Sequence, residues 1–320
     1  MRRLIAAGAV ALALLTAALP LPARADNIVI SEYGVVASSL VWAVAFHENF
    51  FKKEGASVTG YVTANGGGTA VRNMMANDMP VSEMAITAAI AGIQAGLPLR
   101  IIWSPARDPG DLVWMVKRDS PIKTIADLKG KKVGITSPRS TTEIILRIAL
   151  QKAGILKDVQ IIPAGSQGSA TTALDVGAVD ATPMAEPLIS QNSAKFRVLF
   201  RSVDVAPRLV WECGVTTDAY AKAHGDELRK IILARRDAVN FIYAHPAEAE
   251  AIYMDAFSSD AATAHIVVPL LIRLRYYGLG DIDPVGLDNM ITGMKLTGAL
   301  DPPVDVKAAV DKSFLPANLR

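Results

Sequence analysis

The stretch KKVGITSPRSTTEIILRIALQKAG, residues 131–154, contains one complete strand-to-helix unit. Residues 132–135 predict a short buried strand, since two of its four residues are the β-branched Val133 and Ile135. Ser140 to Glu143 form a capping box, in which a serine hydroxyl and a glutamate carboxylate satisfy free N–H groups at a helix start. The helix that follows has a wide apolar stripe and is predicted to end at Gly154.

The same rhythm of strand and helix recurs on both sides of this stretch. Short apolar runs predict strands at residues 28–30, 58–63, 84–86, 99–103, 159–162, 179–182 and 198–200. Helical patterns separate them, including one at residues 40–54 that ends at Gly55 and others at 66–76 and 87–95. Alternating strands and helices indicate parallel or mixed sheets with covered faces, so the predicted fold class is α/β.

The last third of the chain has a helical pattern. Helices are predicted at residues 226–244, 246–257, 262–277 and 305–313, and no strand series there predicts a third sheet. We therefore expect these helices to cover the first of two α/β lobes, with two chain crossings near residues 109–116 and 207–216. This organisation predicts that residues 26–112 and 208–320 form lobe 1 and that residues 113–207 form lobe 2.

The first 25 residues predict a secretory signal peptide. Arg2 and Arg3 provide a positive start, residues 4–19 are apolar, and Ala23 to Ala25 form a small-residue cleavage site. The apolar run is shorter than the roughly 20 residues that a membrane-spanning helix needs, so a retained anchor is the weaker interpretation. We therefore predict a periplasmic protein.

Charge and residue counts exclude several classes of function. The chain has 33 basic and 31 acidic residues, and removing the three arginines of residues 1–25 leaves 30 against 31, a net charge of −1. Such a chain with no basic run is not expected to bind nucleic acid. A single cysteine supplies neither a disulfide nor a cysteine-rich metal site. Without nucleotide-binding, hydrolase or metal-ligand motifs, we predict no cofactor, no metal and no enzymatic activity.

Small polar residues recur where predicted strands end and helices begin. They lie at Tyr33 with Ser38, at residues 66–69, at Thr87, at residues 137–141 and at residues 165–169. In open α/β sheets these junctions line the ligand crevice, and helix N-termini there offer free N–H donors to anions. Arg139 could add a bidentate cation. For any single residue the alternative is a helix cap or a tight turn.

Two further residues are candidate ligand contacts. Glu186 follows a predicted strand, where its carboxylate suits an amino or amidine group, although a helix-start cap is an equal alternative. Trp211 lies in the second chain crossing, where its ring could stack on a ligand.

Several motifs in this order resemble the nitrate-, sulfonate- and taurine-binding solute receptors of ABC importers, a family that includes pyrimidine-binding relatives of the thiamine-pyrimidine synthases. They are AFHENFFKKEG at residues 45–55, GGGT at 66–69, IADLKGKKVGI at 125–135, AL at 173–174, GAVDA at 177–181, EP at 186–187 and DKSFLP at 311–316. The resemblance covers nearly all of residues 27–316, and the order of the motifs is more specific than any one of them.

The resemblance implies a type II periplasmic binding protein, with two α/β lobes joined by a two-strand hinge and a helical C-terminal extension on lobe 1. It implies a monomer that captures a small sulfonate, carboxylate, other oxyanion or zwitterion between the lobes and delivers it to an inner-membrane permease and its ATPase. Alternatives are a pyrimidine or amine receptor, a receptor for a signalling partner, and a synthase-like enzyme. The synthases use a cysteine-rich motif and a reactive histidine, and a single Cys213 does not fit that motif. Together with Trp211, the implied ligand contacts are Tyr33, Ser38, Gly67, Gly68, Thr69, Thr87, Arg139, Ser140, Thr141 and Glu186.

Overall fold

The computed structural model describes residues 26–77, 79–106 and 108–320, so the predicted signal peptide lies outside the described residues. Its strands are β1 (Asp26–Ser31), β2 (Val58–Ala64), β3 (Ser82–Ala85), β4 (Leu99–Ala106), β5 (Val113–Lys117), β6 (Lys132–Ile135), β7 (Gln160–Pro163), β8 (Thr182–Met184), β9 (Phe196–Arg201), β10 (Glu212–Thr217) and β11 (Tyr277–Gly280). No helix in these described ranges is both long enough and apolar enough to cross a bilayer.

The α-helices alternate with these strands and then dominate the last third of the chain. They are α1 (Leu40–His47), α2 (Phe50–Lys53), α3 (Gly67–Ala76), α4 (Ile86–Gln94), α5 (Thr141–Lys152), α6 (Gln167–Asp175), α7 (Leu188–Gln191), α8 (Ser202–Val205), α9 (Asp218–Ala223), α10 (Gly225–Ala244), α11 (Pro246–Ala256), α12 (Ala261–Arg273) and α13 (Pro284–Leu296).

Two groups of strands define two lobes. Lobe 1 contains a six-stranded sheet in the order β11-β4-β10-β3-β1-β2, with β10 antiparallel to both of its neighbours. Lobe 2 contains the antiparallel set β8-β5-β9 and the parallel pair β6-β7. A parallel bridge between Val133 and Ala181 joins these two sets. The expected α/β class and the two-lobed architecture are confirmed.

The chain passes between the lobes twice, once before β5 and once before β10. The first crossing is tied at Leu112 to helix α8, which precedes the second crossing. The Leu112 carbonyl accepts hydrogen bonds from the Ser202 backbone N at 3.1 Å and hydroxyl at 2.6 Å. The Val210 N–H donates to the Gly286 carbonyl of α13 at 3.1 Å. The C-terminal helices therefore also brace the crossings.

Several predicted elements differ from the structure. The helix predicted over residues 40–54 is divided into α1 and α2 at Asn49, which has a φ of 56°, a conformation that asparagine tolerates well. The predicted helix 262–277 ends at Arg273, and Tyr277 begins β11 on the edge of the lobe 1 sheet. Helix α13 was not predicted, and the predicted helix 305–313 is only a 3₁₀ turn at Lys307–Ala309.

The C-terminal helices contact both lobes. Helices α10 and α11 pack against α1, whereas α12 contacts α7 and α13 contacts α5 of lobe 2. At the last contact, a Cβ added to Gly293 would lie 2.3 Å from Cγ2 of Ile144, so only glycine permits this close approach. The extension was expected to cover lobe 1, and it reaches lobe 2 as well.

Gly214 makes a comparable close contact in the middle of the lobe 1 sheet. A Cβ at this position of β10 would lie 1.9 Å from the ring of Trp103, which is fully buried and has no room to move. We expect Gly214→Ala to lower the free energy of unfolding by about 2 kcal/mol or more, because overpacking a dense core forces side chains off their rotamers. Urea denaturation measures the change.

Gly168→Ala is the matched control for this substitution. Gly168 is exposed on α6, and a Cβ there meets only ordinary van der Waals contact at 3.8 Å. Alanine favours the helix by up to about 1 kcal/mol, so this variant should be as stable as the parent or more so. Equal stability of both variants would show that β10 moves away from Trp103 without penalty.

Candidate functional site

The two lobes meet at the 3₁₀ helix Ala37–Ser39 that precedes α1. The Ala37 N–H donates across the interface to the carbonyl of Glu186 at 3.3 Å, and the Ala37 carbonyl accepts from the Tyr277 hydroxyl at 3.1 Å. These bonds place Glu186 of lobe 2 against residues of lobe 1. The described lobes are therefore in a closed arrangement, with the predicted site residues nearest this contact buried.

Ser38, Thr87 and Trp211 come together around the start of β10. The Ser38 hydroxyl donates to Glu212 Oε1 at 3.4 Å, and the Ile86 N–H at the start of α4 donates to the Trp211 carbonyl at 3.0 Å. Ser38, Thr87 and Trp211 are all buried. The indole N–H of Trp211 is sealed from solvent and has no hydrogen-bond partner.

Glu186 acts as a helix cap, the alternative that its sequence context left open. Its Oε2 accepts a hydrogen bond from the Ser190 N–H at 3.1 Å in the first turn of α7. Burial raises the pKa of Glu186, and the Ser190 bond and the nearby Arg201 charge oppose the rise. Glu186 is 3% exposed, and its charge adds to burial in raising the pKa of the Tyr253 hydroxyl.

The junction at residues 139–141 contains one capping residue, Ser140, one exposed cation, Arg139, and one unpartnered hydroxyl, that of Thr141. Ser140 accepts the Glu143 N–H at 3.3 Å, and Glu143 in turn accepts the Arg139 N–H at 2.6 Å. Arg139 is exposed and has a φ of 63°. The Thr141 hydroxyl, by contrast, is buried without a partner and can donate to or accept from a ligand.

The glycine loop opens α3 at the same edge of the lobe 1 sheet as the end of β1, since β1 and β2 run parallel and Ser31 pairs with Ala64. A Cβ on Gly67 would lie 2.5 Å from the Ala88 side chain, so this glycine lets α3 pack against α4. Thr69 accepts a hydrogen bond from Arg72 Nη2 at 2.9 Å, and Gly68 is exposed beside the same side chain. The exposed Arg72 supplies this loop with a cation that the sequence analysis missed.

Tyr33 packs in an aromatic cluster. Its ring centroid lies 4.0 Å from that of Tyr61, which in turn lies 5.4 Å from Phe46. Burial, together with Tyr61 and Asp255, raises the pKa of the Tyr33 hydroxyl. The ring is half-buried, and its role as a ligand contact stays a prediction.

Three polar residues that the sequence analysis did not select also lie in this interface. Asp111 lies in the first crossing, Glu212 begins β10 within the second, and Tyr276 directly precedes β11. Both oxygens of Asp111, Oε2 of Glu212 and the Tyr276 hydroxyl are sealed from solvent without hydrogen-bond partners. The rings of Tyr276 and Trp211 contact edge to face at 6.5 Å between centroids. We refer to Asp111, Trp211, Glu212 and Tyr276 as the crossing cluster.

The crossing cluster is strongly acidic. Burial raises the pKa of Asp111 to about 7, and the Glu186 charge adds to the rise, while the nearby Tyr276 hydroxyl opposes it. Burial also raises the pKa of Glu212 well above its usual range, with contributions from Glu83 and Asp111. Such carboxyls remain protonated in a closed interface unless a positive group compensates their charge.

Glu83, on the neighbouring strand β3, is a buried carboxylate that, unlike Asp111 and Glu212, has a full set of protein donors. It accepts the indole N–H groups of Trp42 and Trp103 at 2.9 and 2.8 Å and pairs with Arg235 Nε at 3.0 Å. Arg235 also donates to the carbonyls of Gly278 and Pro105. This carboxylate is fully matched by protein donors, whereas those of Asp111 and Glu212 are not.

Groups that could support catalysis or bind a metal ion are few. Cys213 is buried, and burial, with the charges of Glu83 and Glu212, raises its thiol pKa well above the usual range. His47, His224, His245 and His265 are all exposed. In the described ranges, no group of three or more His, Cys, Asp or Glu residues is arranged to hold a metal ion.

The fold is that of the periplasmic binding proteins, with two α/β lobes. The chain belongs to the NMT1/THI5 like family, whose model matches residues 38–249. The resemblance inferred from the sequence motifs is thereby confirmed at the level of the family.

Three comparisons show how far the likeness extends. A protein of Bacillus subtilis (strain 168) named for binding aliphatic sulfonates is 26% identical over 274 residues, 84% of this chain and 80% of its own. The periplasmic aliphatic sulphonate binding protein SsuA from Escherichia coli superposes with a TM-score of 0.75 at 20% identity, covering 89% of this chain and 96% of SsuA. The desulfurization enzyme DSZB superposes with a TM-score of 0.63 at 15% identity, over 91% and 97% of the two chains. The fold alone therefore accommodates binding proteins and an enzyme.

Proposed function

We propose that this chain is an exported solute-binding protein of an ABC importer, which encloses a small organic ligand between its lobes and delivers it to a membrane permease and its ATPase. The single observation that carries the proposal is the buried polar interface at Ala37 and Glu186. Residues of both lobes and both crossings meet there, and several of their polar atoms have no protein partner. A closed interface with unmatched donors and acceptors suits a bound polar ligand.

The motif order and the family support this role, because the motifs resemble solute receptors of ABC importers. The predicted signal peptide would place the protein in the periplasm, as a monomer. Lobe 1 would comprise residues 26–112 and 208–320, and lobe 2 residues 113–207. Hinge motion at the two crossings would open and close the site.

The proposed ligand is a sulfonate, a carboxylate, another oxyanion or a zwitterion. Thr141 and the loop at Thr69 would bind its anionic end, where Arg139 and Arg72 provide full positive charges. The acidic crossing cluster favours a second candidate, a pyrimidine or amine receptor of the same fold. A zwitterion would use both regions. An enzymatic role gains no support from the buried, protonated Cys213 or from the exposed histidines.

Thermal denaturation against a panel of small alkanesulfonates, carboxylates, amines and pyrimidines tests the proposal. A ligand at about 100 times its dissociation constant should add about 2.7 kcal/mol to the free energy of unfolding and raise the midpoint by several degrees. Thr141→Val, which removes an unmatched hydroxyl, should weaken that ligand's binding about tenfold without destabilising the protein.

Thr172→Val is the matched control, because Thr172 is exposed on α6 and its hydroxyl donates only to the Gly168 carbonyl. This variant should respond to the ligand as the parent does. The absence of any shift with every anion, amine and pyrimidine in the panel would count against a solute-binding role.

A further inference from the structure

Asp111 and Glu212 lie on the two different chain crossings, and both act electrostatically on the same hydroxyl, that of Tyr276. The two crossings bring together residues that are far apart in sequence, and β11 adds Tyr276 from the C-terminal third. Asp111 and Glu212 both raise the pKa of the Tyr276 hydroxyl, after burial itself, so both charges act on that atom. The crossing cluster is therefore one site, built from three segments of the chain.

Five polar side-chain atoms of this cluster are buried and unmatched, although Glu212 as a whole is half-buried and its Oε1 accepts from Ser38. Asp111 and Tyr276 are each 3% exposed and Trp211 is 8% exposed. Neither oxygen of Asp111, nor Oε2 of Glu212, nor the Tyr276 hydroxyl, nor the Trp211 indole N–H has a hydrogen-bond partner. Tyr276 lies near Asp111 but outside hydrogen-bond geometry. Unmatched buried polar atoms are destabilising, so their accumulation at one place indicates a ligand-binding role.

The surrounding charges indicate that the group missing from this cluster is positively charged. The strongest charge effects on Asp111 and Glu212 come from other carboxylates. They are those of Glu186 and Asp108 on Asp111, and those of Glu83, Asp111 and Glu32 on Glu212. The buried Arg235 is fully engaged by Glu83 and two backbone carbonyls. The exposed Arg201 acts on Glu186.

We propose that Asp111, Glu212 and the Tyr276 hydroxyl form a subsite for the protonated nitrogen of the ligand, an ammonium or amidinium group. This subsite rests on the proposed solute-binding function and narrows it to ligands that carry a basic nitrogen. An ammonium group offers three donors, and the free oxygens of Asp111 and Glu212 offer three acceptors. The rings of Trp211 and Tyr276 are buried and contact each other edge to face, so they would keep water away from the group and strengthen each charge-assisted bond.

Calorimetric titration with matched pairs of probes tests the subsite. The pairs are 2-aminoethanesulfonate with ethanesulfonate, and an aminomethylpyrimidine with its hydroxymethyl counterpart. The parent protein should bind the amine member of at least one pair about 30-fold or more tightly than its partner. Glu212→Gln and Asp111→Asn should each reduce that preference at least tenfold, while changing the affinity for the amine-free member less than about threefold.

Asp226→Asn is the control variant, since the Asp226 side chain is 92% exposed, and it should leave the preference unchanged. Cooperative thermal unfolding verifies that each variant is folded. Tyr276→Phe provides an independent variant, which should also lower the preference because it removes only the hydroxyl. Reduced preference in any two cluster variants supports the subsite.

Two results would overturn the inference, and they differ in scope. If members of the pairs bind but neither the sulfonate pair nor the pyrimidine pair shows a preference for the amine, or if the preference survives in the folded cluster variants, the subsite is refuted and the solute-binding function stands. If the parent protein binds no member of either pair and no member of the wider panel, the solute-binding function is refuted together with the subsite.

Discussion

Glu83→Ala is expected to lower the free energy of unfolding by about 3–5 kcal/mol, because it leaves a buried guanidinium without its counter-charge. Arg235 is 2% exposed and would retain only two carbonyl acceptors, and the indoles of Trp42 and Trp103 would lose theirs. These groups connect β3, β4, α1 and α10 at the centre of lobe 1. Chemical denaturation of the purified protein measures the loss.

Two further variants test whether the loss of stability comes from the buried ion pair. Asp226→Ala breaks an exposed pair with Arg229 and should change stability by less than about 1 kcal/mol. The double variant Glu83→Leu with Arg235→Met replaces the pair by apolar side chains and should recover much of the loss. A loss below 1 kcal/mol for Glu83→Ala would contradict the role of this ion pair in the core.

Asp111→Asn is expected to stabilise the ligand-free closed protein at pH 8, by up to about 4 kcal/mol, and to have little effect near pH 4. The folded protein raises the pKa of Asp111 from its ordinary 3.8 to about 7. Below pH 4 the carboxyl is protonated in both folded and unfolded chains. As the pH rises from about 4 to 7, only the folded chain keeps the proton, so stability falls. Each pKa unit corresponds to about 1.36 kcal/mol.

Other groups around Asp111 also titrate, so the variant should keep part of the pH dependence. Burial raises the pKa of Glu32, Glu186 and Glu212, which favours the folded protein at low pH in the same way. Asp108, Arg201 and the hydroxyls of Tyr253, Tyr276 and Tyr277 also lie within reach of these carboxyls.

Thermal denaturation of both proteins between pH 4 and pH 8 measures the difference, with Asp226→Asn as an exposed control that should follow the parent. A variant at pH 8 that is no more stable than the parent would show that Asp111 is solvated or paired in the free protein. We expect Asp111→Asn to increase stability and to weaken amine binding. Binding sites that hold unfavourable charges show this trade-off between stability and function.

The local elements were predictable because their signals are local. The capping box at Ser140 and the β-branched strand before it specify their unit without tertiary contacts, and the structure reproduces β6 residue for residue. Helix α13 and strand β11 were missed for the opposite reason. Tyr276 and Tyr277 continue the apolar pattern of α12, and only pairing with the edge of β4 makes Tyr277–Gly280 a strand.

The candidate site was likewise predictable only where the sequence signal is local. The junction rule selected Ser38, Thr87, Thr141 and Glu186, which are all buried, and three of them adjoin the contact between the lobes or the start of β10. The acids Asp111 and Glu212 carry no motif, because their importance arises when two distant crossings bury them beside Tyr276. The one available signal was their position in the predicted crossings, where a charged residue is unusual in a segment that packing will bury.

Native mass spectrometry tests the central claim most directly. The protein is purified from its producing cells and then incubated with an extract of those cells. We expect one small molecule bound per chain, containing a basic nitrogen, and a much smaller bound fraction for the folded Asp111→Asn and Glu212→Gln variants. A bound anion without a basic nitrogen, retained equally by these variants, or a protein that binds no small molecule at all, would contradict it.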